Sequence, residues 1–340
     1  MSTADTRTQA GPASPEGEPP DGAQPRRMPG LVPVTETLRT VERRPPEPLP
    51  EPLPGAPGEA VPARRPGAFW RLLASELGLT FRRPRNMALL AVLGVVPIIL
   101  GIGLRVAAGT PADGDEGMGG LIQDVAGNNL MLTFLSFSFL VLLLMPVAVS
   151  VVAGDAIAGE AGGGTLRYLL AAPAGRTRLL VVKYLNAVVF AYAATAVVAV
   201  SALLTGLALF PGGTVTLLSG TTITTGEGLL RILIAAGYVG AGMAALAAVA
   251  LALSTFTEVA IGAIAGTMVL VVVCQVLRAV PDLAPIAPYL LPTRFTDFDA
   301  VLRSPIDLAS LRDGLLSFAA YIALFGSIAW ARFTGKDITS

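Results

Sequence analysis

The residues with the most chemical character cluster in one short stretch. Asp155 and Glu160 precede Gly162-Gly163-Gly164, which is followed by Thr165-Leu166-Arg167-Tyr168-Leu169-Leu170, Pro173 and Arg176. Three glycines in a row break a helix, because each loses more backbone entropy on ordering than any other residue. Thr165 can cap a new helix. Leu166, Leu169 and Leu170 then stand at i, i+3 and i+4 on one face, and Pro173 ends the segment. The spacing predicts an amphipathic helix of about two turns, too short to be stable alone. Its leucines need cover from a groove on a partner, from the membrane surface or from the chain's own helices. Catalysis has little to work with elsewhere. The 340 residues include no histidine and one cysteine, which removes imidazole acid–base chemistry and the usual zinc sites. No nucleophile with a base is visible, so an intramembrane enzyme is disfavoured.

Composition says where such a helix would sit. Hydrophobic residues make up 53% of the chain and charged residues 14%, against about 25% charged in soluble domains. Mean hydropathy is +0.66. Long uncharged runs settle this imbalance in favour of lipid. Lys plus Arg equals Asp plus Glu at 24 each, so there is no bulk attraction to nucleic acid. Cys274 lies in an apolar run and reads as a small hydrophobe.

Residues 1–66 hold 16 of the 27 prolines, mixed with Glu, Arg, Gly and Ala. Such a segment cannot bury enough apolar surface to offset its ordering entropy. It is expected to be a disordered cytoplasmic tail, with polyproline II over 45–54, either simply solvated or serving as a docking ligand. The first thirty residues hold no apolar core, so no secretory leader is expected. From 67 onward the chain reads as one domain, 67–340. Phe69, Leu73, Leu77 and Phe81 recur every four residues, with Arg71, Ser75, Arg82 and Arg83 elsewhere on the wheel. That predicts a basic amphipathic helix over 68–83 in the headgroup region, anchored by Trp70 and ended by Pro84.

Six apolar runs follow, at about 87–106, 129–153, 179–210, 229–253, 257–277 and 314–331. About 20 helical residues cross a roughly 30 Å hydrocarbon core, so the fold class is an all-α integral membrane protein with six transmembrane helices. Runs four and five are separated by Ser254-Thr255-Phe256, which allows a tight helical hairpin. The 278–313 loop, punctuated by Pro281, Pro285, Pro288 and Pro292, suggests short helices, with Ser310 capping the approach to the last span. Basic residues flank run one, the run two–three loop and the end of run six, while 107–128 and 211–228 contain no Lys or Arg. The positive-inside rule therefore puts both termini in the cytoplasm.

The middles of the runs contain no Asp, Glu, Lys or Arg; Arg105, Asp155, Lys183, Arg231, Glu258 and Arg278 sit towards the ends. Ion-coupled carriers usually keep an ionisable group near the midplane, so the driving force is expected from outside the bilayer. Ser136, Ser138, Asn186, Tyr192 and Thr195 are polar groups within the runs that could line a substrate path or bond neighbouring backbone. Gly262 with Gly266, and Gly237 with Ala241 and Ala245, make small-residue faces for close helix packing.

Asp155, Glu160, 164–170, Pro173, Arg176 and Lys183, with the amphipathic helix before the first span and the longer loop before the last, resemble the membrane-spanning permease of bacterial ABC-2 type ATP-driven exporters. The resemblance covers about 68–340. It implies that Asp155, Glu160, Gly164, Thr165, Leu166, Arg167, Leu169, Leu170, Pro173 and Arg176 form the segment that couples to an ATP-binding subunit. It also implies a second permease subunit, homodimeric or heterodimeric, surrounding lipids and a place in the cytoplasmic membrane. The chain contains no G-x-x-x-x-G-K-[ST] phosphate loop. No cofactor is therefore expected on this chain, and ATP with Mg would belong to the partner. The alternative is a polytopic membrane protein outside the ABC class, a secondary carrier or an assembly scaffold.

Overall fold

The structure, a computed structural model, describes residues 67–109, 128–164, 175–210, 215–216 and 222–335. All of them lie in the compact unit Arg64–Ser340. The predicted tail and the whole of the predicted short helix, 165–172, lie outside the described residues. Among the described residues the helices are α1 (Ala68–Arg82), α2 (Pro84–Ala108), α3 (Met131–Leu140), α4 (Leu144–Gly162), α5 (Arg176–Leu209), α6 (Thr225–Phe256), α7 (Ala260–Ala279), α8 (Leu291–Arg294) and α9 (Leu308–Gly335). Strands β1 (Val215–Thr216) and β2 (Thr222–Ile223) pair antiparallel, with Val215 opposite Ile223. Short 3-10 helices occupy Pro281–Leu283, Ala287–Tyr289 and Asp297–Leu302. Six of the described helices, α2, α4, α5, α6, α7 and α9, are long and apolar enough to cross a membrane.

The second apolar run is not one helix, as 129–153 had suggested. It breaks at residues 141–143, giving α3 and α4. Pro146 explains the break. It has no N–H for the carbonyl of Leu142, and its ring crowds that carbonyl. The chain stops α3, puts Leu143 outside helical dihedrals (φ −141°, ψ −57°) and restarts with Pro146 in the first turn of α4, where its missing N–H is harmless. The turn between the fourth and fifth spans also differs from expectation. It falls at 257–259, because the Ser254 and Thr255 hydroxyls bond to backbone and leave α6 intact. The cap of α9 is Asp307, whose Oδ1 accepts from the Ser310 N–H at 3.1 Å; Ser310 itself is already inside the helix.

Helix α6 is the centre of the bundle, contacting α4, α5, α7 and α9. Small residues make this possible. Gly240 leaves space that the Tyr192 ring of α5 fills, and Gly314 of α9 does the same for the Tyr238 hydroxyl. That hydroxyl donates to the Arg294 carbonyl at 2.9 Å, tying α6 to α8. Gly206 of α5 lies directly against the Asn129 carbonyl at the start of α3. Ser254 of α6 reaches into the backbone of α4. Its Oγ accepts from the N–H groups of Ile157 and Ala158, at 3.1 and 2.8 Å, and donates to the Gly154 carbonyl at 2.7 Å. Outward faces are apolar: Val269, Val272, Val273 and Val276 of α7 are exposed, as expected of surface facing lipid. Gly237 lies on such a face with open space above it, and Gly262 and Gly266 of α7 are exposed as well.

The end of the bundle opposite α1 is organised by one buried cation. Thr224 caps α6 by accepting from the Glu227 N–H. Glu227 pairs with Arg231 one turn on, at 2.7 Å. Arg231, only 4% exposed, donates to the carbonyls of Val301 and Arg303, at 2.5 and 2.9 Å, and so holds the 3-10 helix Asp297–Leu302 in place. Nearby, burial pushes the carboxyls of Asp297 and Asp299 above the usual carboxylate range, with Arg294 opposing this at Asp297.

Two outcomes follow. A methyl at Gly206 must displace backbone, so Gly206→Ala should destabilise the fold by about 1–3 kcal/mol, while Gly237→Ala should leave Tm in detergent at or above the parent value. A carboxyl whose folded pKa is raised favours the protonated folded state, so that contribution is present at acid pH and lost as pH rises through the raised value. Asp299→Asn should therefore raise Tm near neutral pH and flatten the fall in Tm as pH rises above the ordinary carboxylate value of about 4.

Candidate functional site

A polar cavity of about 250 Å³ lies where α1, the start of α2, the end of α4 and the start of α5 meet. Local sequence explains how it is built. Helix α1 packs on α5, with Leu73 buried and the Phe81 ring 6.1 Å from that of Phe190. The Arg178 guanidinium sits 5.8 Å over the Phe69 ring and holds the other end. Pro84 has no N–H to give the Thr80 carbonyl, and Asn86 replaces it, its Nδ2 donating to that oxygen at 2.9 Å. The α1–α2 corner is thereby fixed, and Arg83 and Arg85 project from it. Asn186 Nδ2 donates to Thr80 Oγ1 at 2.8 Å, binding the corner to α5.

The charges form two triads. Asp155 Oδ2 accepts from Arg83 and Arg85, both at 2.8 Å. Gly159, one turn on, leaves room for that carboxylate, which lies where a Cβ at 159 would be. Lys183 Nζ donates to Glu160 at 2.5 Å and to Glu76 at 3.5 Å. The lysine side chain is 3% exposed, while those of Arg83 and Arg85 are about half exposed, at 55% and 47%. One triad carries two cations on one carboxylate, and the other two carboxylates on one cation. A buried lysine is tolerable only because it is doubly paired.

Of the residues singled out as a coupling segment, Asp155 and Glu160 are thus brought together in this cavity and hold α4 to α1, α2 and α5. Gly164 takes the left-handed conformation (φ +68°) after the helix end at Gly162, as the glycine run predicts. Arg176 opens α5 and donates to the Thr334 carbonyl at 2.8 Å, which ties α5 to the last turn of α9. Thr165, Leu166, Arg167, Leu169, Leu170 and Pro173 lie outside the described residues. The polar residues considered for a path do not converge on one. Ser136, Ser138 and Thr195 donate to the carbonyls of Leu132, Phe134 and Ala191 in their own helices, and Tyr192 packs over Gly240. Of the five, only Asn186 lines this cavity.

Sequence reasoning passed over Glu76, Thr80 and Asn86. It took Arg83 and Arg85 as orientation signals and Lys183 as a residue of the resemblance. A usable signal existed for Lys183, the charged residue of α5 that lies furthest from its start, two turns in from Arg176.

Six spanning helices with internally paired charges define an all-α, multi-pass membrane protein. Residues 121–339 match the family described as Protein of unknown function (DUF2705), and the chain belongs to that family. No curated protein matches it.

The two triads should respond differently to loss of a member. Lys183→Met strands two part-buried carboxylates and should cost about 3–5 kcal/mol. Asp155→Asn leaves two arginines that reach water and should cost about 1 kcal/mol or less. Thermal unfolding in detergent checks the order; equal losses would contradict it.

Proposed function

We propose that this chain is the membrane-spanning permease subunit of an ABC-2 type ATP-driven exporter. The observation that carries the reading is the segment 155–176: paired carboxylates, a glycine break, a short leucine-faced helix pattern, a proline stop and an arginine. Its surroundings support the reading. Helix α4 ends at Gly162, α5 begins at Arg176, and both flanks are anchored, through Asp155 and Glu160 to the α1–α2 corner and α5, and through Arg176 to α9. A push on 165–174 would therefore reach α1, α2, α5 and α9 together through stiff helices and paired charges.

In this reading a partner ATPase subunit binds ATP and Mg, and two permease subunits share the membrane path. Closure of the ATPases displaces the 165–172 segments and switches the path outward. Both termini face the cytoplasm of a bacterial cell, with lipids around α2, α7 and α9. A secondary carrier is the second reading. What favours it is the buried Lys183–Glu160 pair within spanning helices, since ion-coupled carriers use such groups.

Affinity purification of the full chain in mild detergent, with mass spectrometry and an ATPase assay, separates the two. The exporter reading expects a co-purified subunit bearing a phosphate loop. It also expects ATPase activity to fall by about tenfold or more when Leu169 and Leu170 are both changed to Asp. Recovery of the chain alone under cross-linking, or a double variant with unchanged partner and activity, would overturn it.

A further inference from the structure

The charged cavity has a polarity that its overall neutrality conceals. The Arg83–Asp155–Arg85 triad has one net positive charge, and the Glu76–Lys183–Glu160 triad one net negative charge. Both line the same space. Asp155 lies seven residues before the end of α4 and Glu160 two, so the positive pole is deeper along the helix by about 7.5 Å. The negative pole is nearer the helix end.

A second observation points to an occupant. Asn186 lines the cavity and is 6% exposed. Its Nδ2 is engaged by Thr80, but its Oδ1 is buried with no hydrogen-bond partner within the protein. A buried acceptor left unpaired costs roughly 1–3 kcal/mol, which a donor seated in the cavity would relieve once the amide turns towards it. The space exceeds by far the roughly 10–15 Å³ that one water requires. Its surroundings are those of a lipid interface: Trp70 and Leu79 of α1 and Met87 and Val92 of α2 are exposed apolar side chains, and Arg83 and Arg85 are half open to the outside.

We propose that this cavity binds the headgroup of a zwitterionic aminophospholipid, with the phosphate at Arg83 and Arg85 and the primary ammonium towards Glu76, Glu160 and Asn186. The order of the poles matches a lipid entering from the bilayer, whose phosphate is deeper and whose ammonium is nearer water. A primary ammonium brings three N–H donors, which suit an unpaired amide oxygen and an excess carboxylate. A quaternary ammonium brings none, so ethanolamine is chosen over choline. The inference needs only a membrane location and is independent of the exporter reading.

The test is native mass spectrometry of the full chain in detergent, titrated with phosphatidylethanolamine or phosphatidylcholine of identical acyl chains. Ethanolamine lipid should bind about tenfold more tightly. Glu76→Gln, which removes the excess negative charge, and Asn186→Leu should each bring it down to the choline level. Arg83→Ala with Arg85→Ala should weaken both lipids. Glu76→Gln guards against misfolding, because it changes charge and not shape. Equal binding of the two lipids, or a preference that survives both Glu76→Gln and Asn186→Leu, would overturn the proposal. Full displacement of the lipid by equimolar free phosphoethanolamine would overturn the lipid source, and binding of neither lipid would leave the cavity to water.

Discussion

Everything in this bundle depends on how closely its helices can approach α6. Lipid offers no hydrophobic drive for one apolar helix to join another, so association rests on contact and on a few hydrogen bonds. Helix α6 supplies contact by being small: Ala235, Ala245, Ala247 and Ala250 are fully buried, and Gly240 and Gly242 admit rings from α5, α8–α9 and their surroundings. The hydrogen bonds then fix registers that packing alone would leave free to slide. Ser254 locks α6 to α4, Tyr238 locks it to Arg294, and Arg231 locks it to the carbonyls of Val301 and Arg303.

Charge is handled by the same economy of position. Each of the buried cations Lys183 and Arg231 sits within a turn or two of a helix end and is held by carboxylates, with backbone carbonyls added for Arg231. Removing Lys183 would strand two part-buried carboxylates, and removing Arg231 would leave the carbonyls of Val301 and Arg303 without their donor. These cations are therefore structural whatever else they do. A binding role for the α1-end cavity arises from the imbalance between its two triads and not from the presence of charge as such.

Much of the architecture was legible in the residues. Length and apolarity found the spanning helices, the four-residue repeat of Phe69, Leu73, Leu77 and Phe81 found α1, and the glycines at 162–164 found the end of α4. Boundaries that depend on one backbone donor were not found. The break at 141–143 follows from the missing N–H of Pro146, yet Pro97 sits inside the continuous helix α2, so proline alone does not announce a break. The site was half legible. Asp155 and Glu160 stood out, but Arg83 and Arg85, which pair with Asp155, and Glu76, which shares Lys183 with Glu160, come from another part of the chain, and no spacing rule links residues some seventy or more positions apart. Asn86 was invisible because its task is to replace a donor that Pro84 lacks, a relation that appears only once α1 and α2 are seen to turn there.

The pairing of Glu160 with Lys183 also sets a problem of timing during synthesis. Helix α4 is the least apolar of the six spanning segments and carries both carboxylates. When it leaves the ribosome, the arginines that neutralise Asp155 have already been made, but the lysine that neutralises Glu160 is 23 residues away in a helix not yet complete. Helix α4 thus completes its charge pairing only with α5, the helix made after it. A nascent chain halted between the two helices would hold Glu160 without its cation, so α4 and α5 depend on each other for charge although they are separate helices in the finished fold.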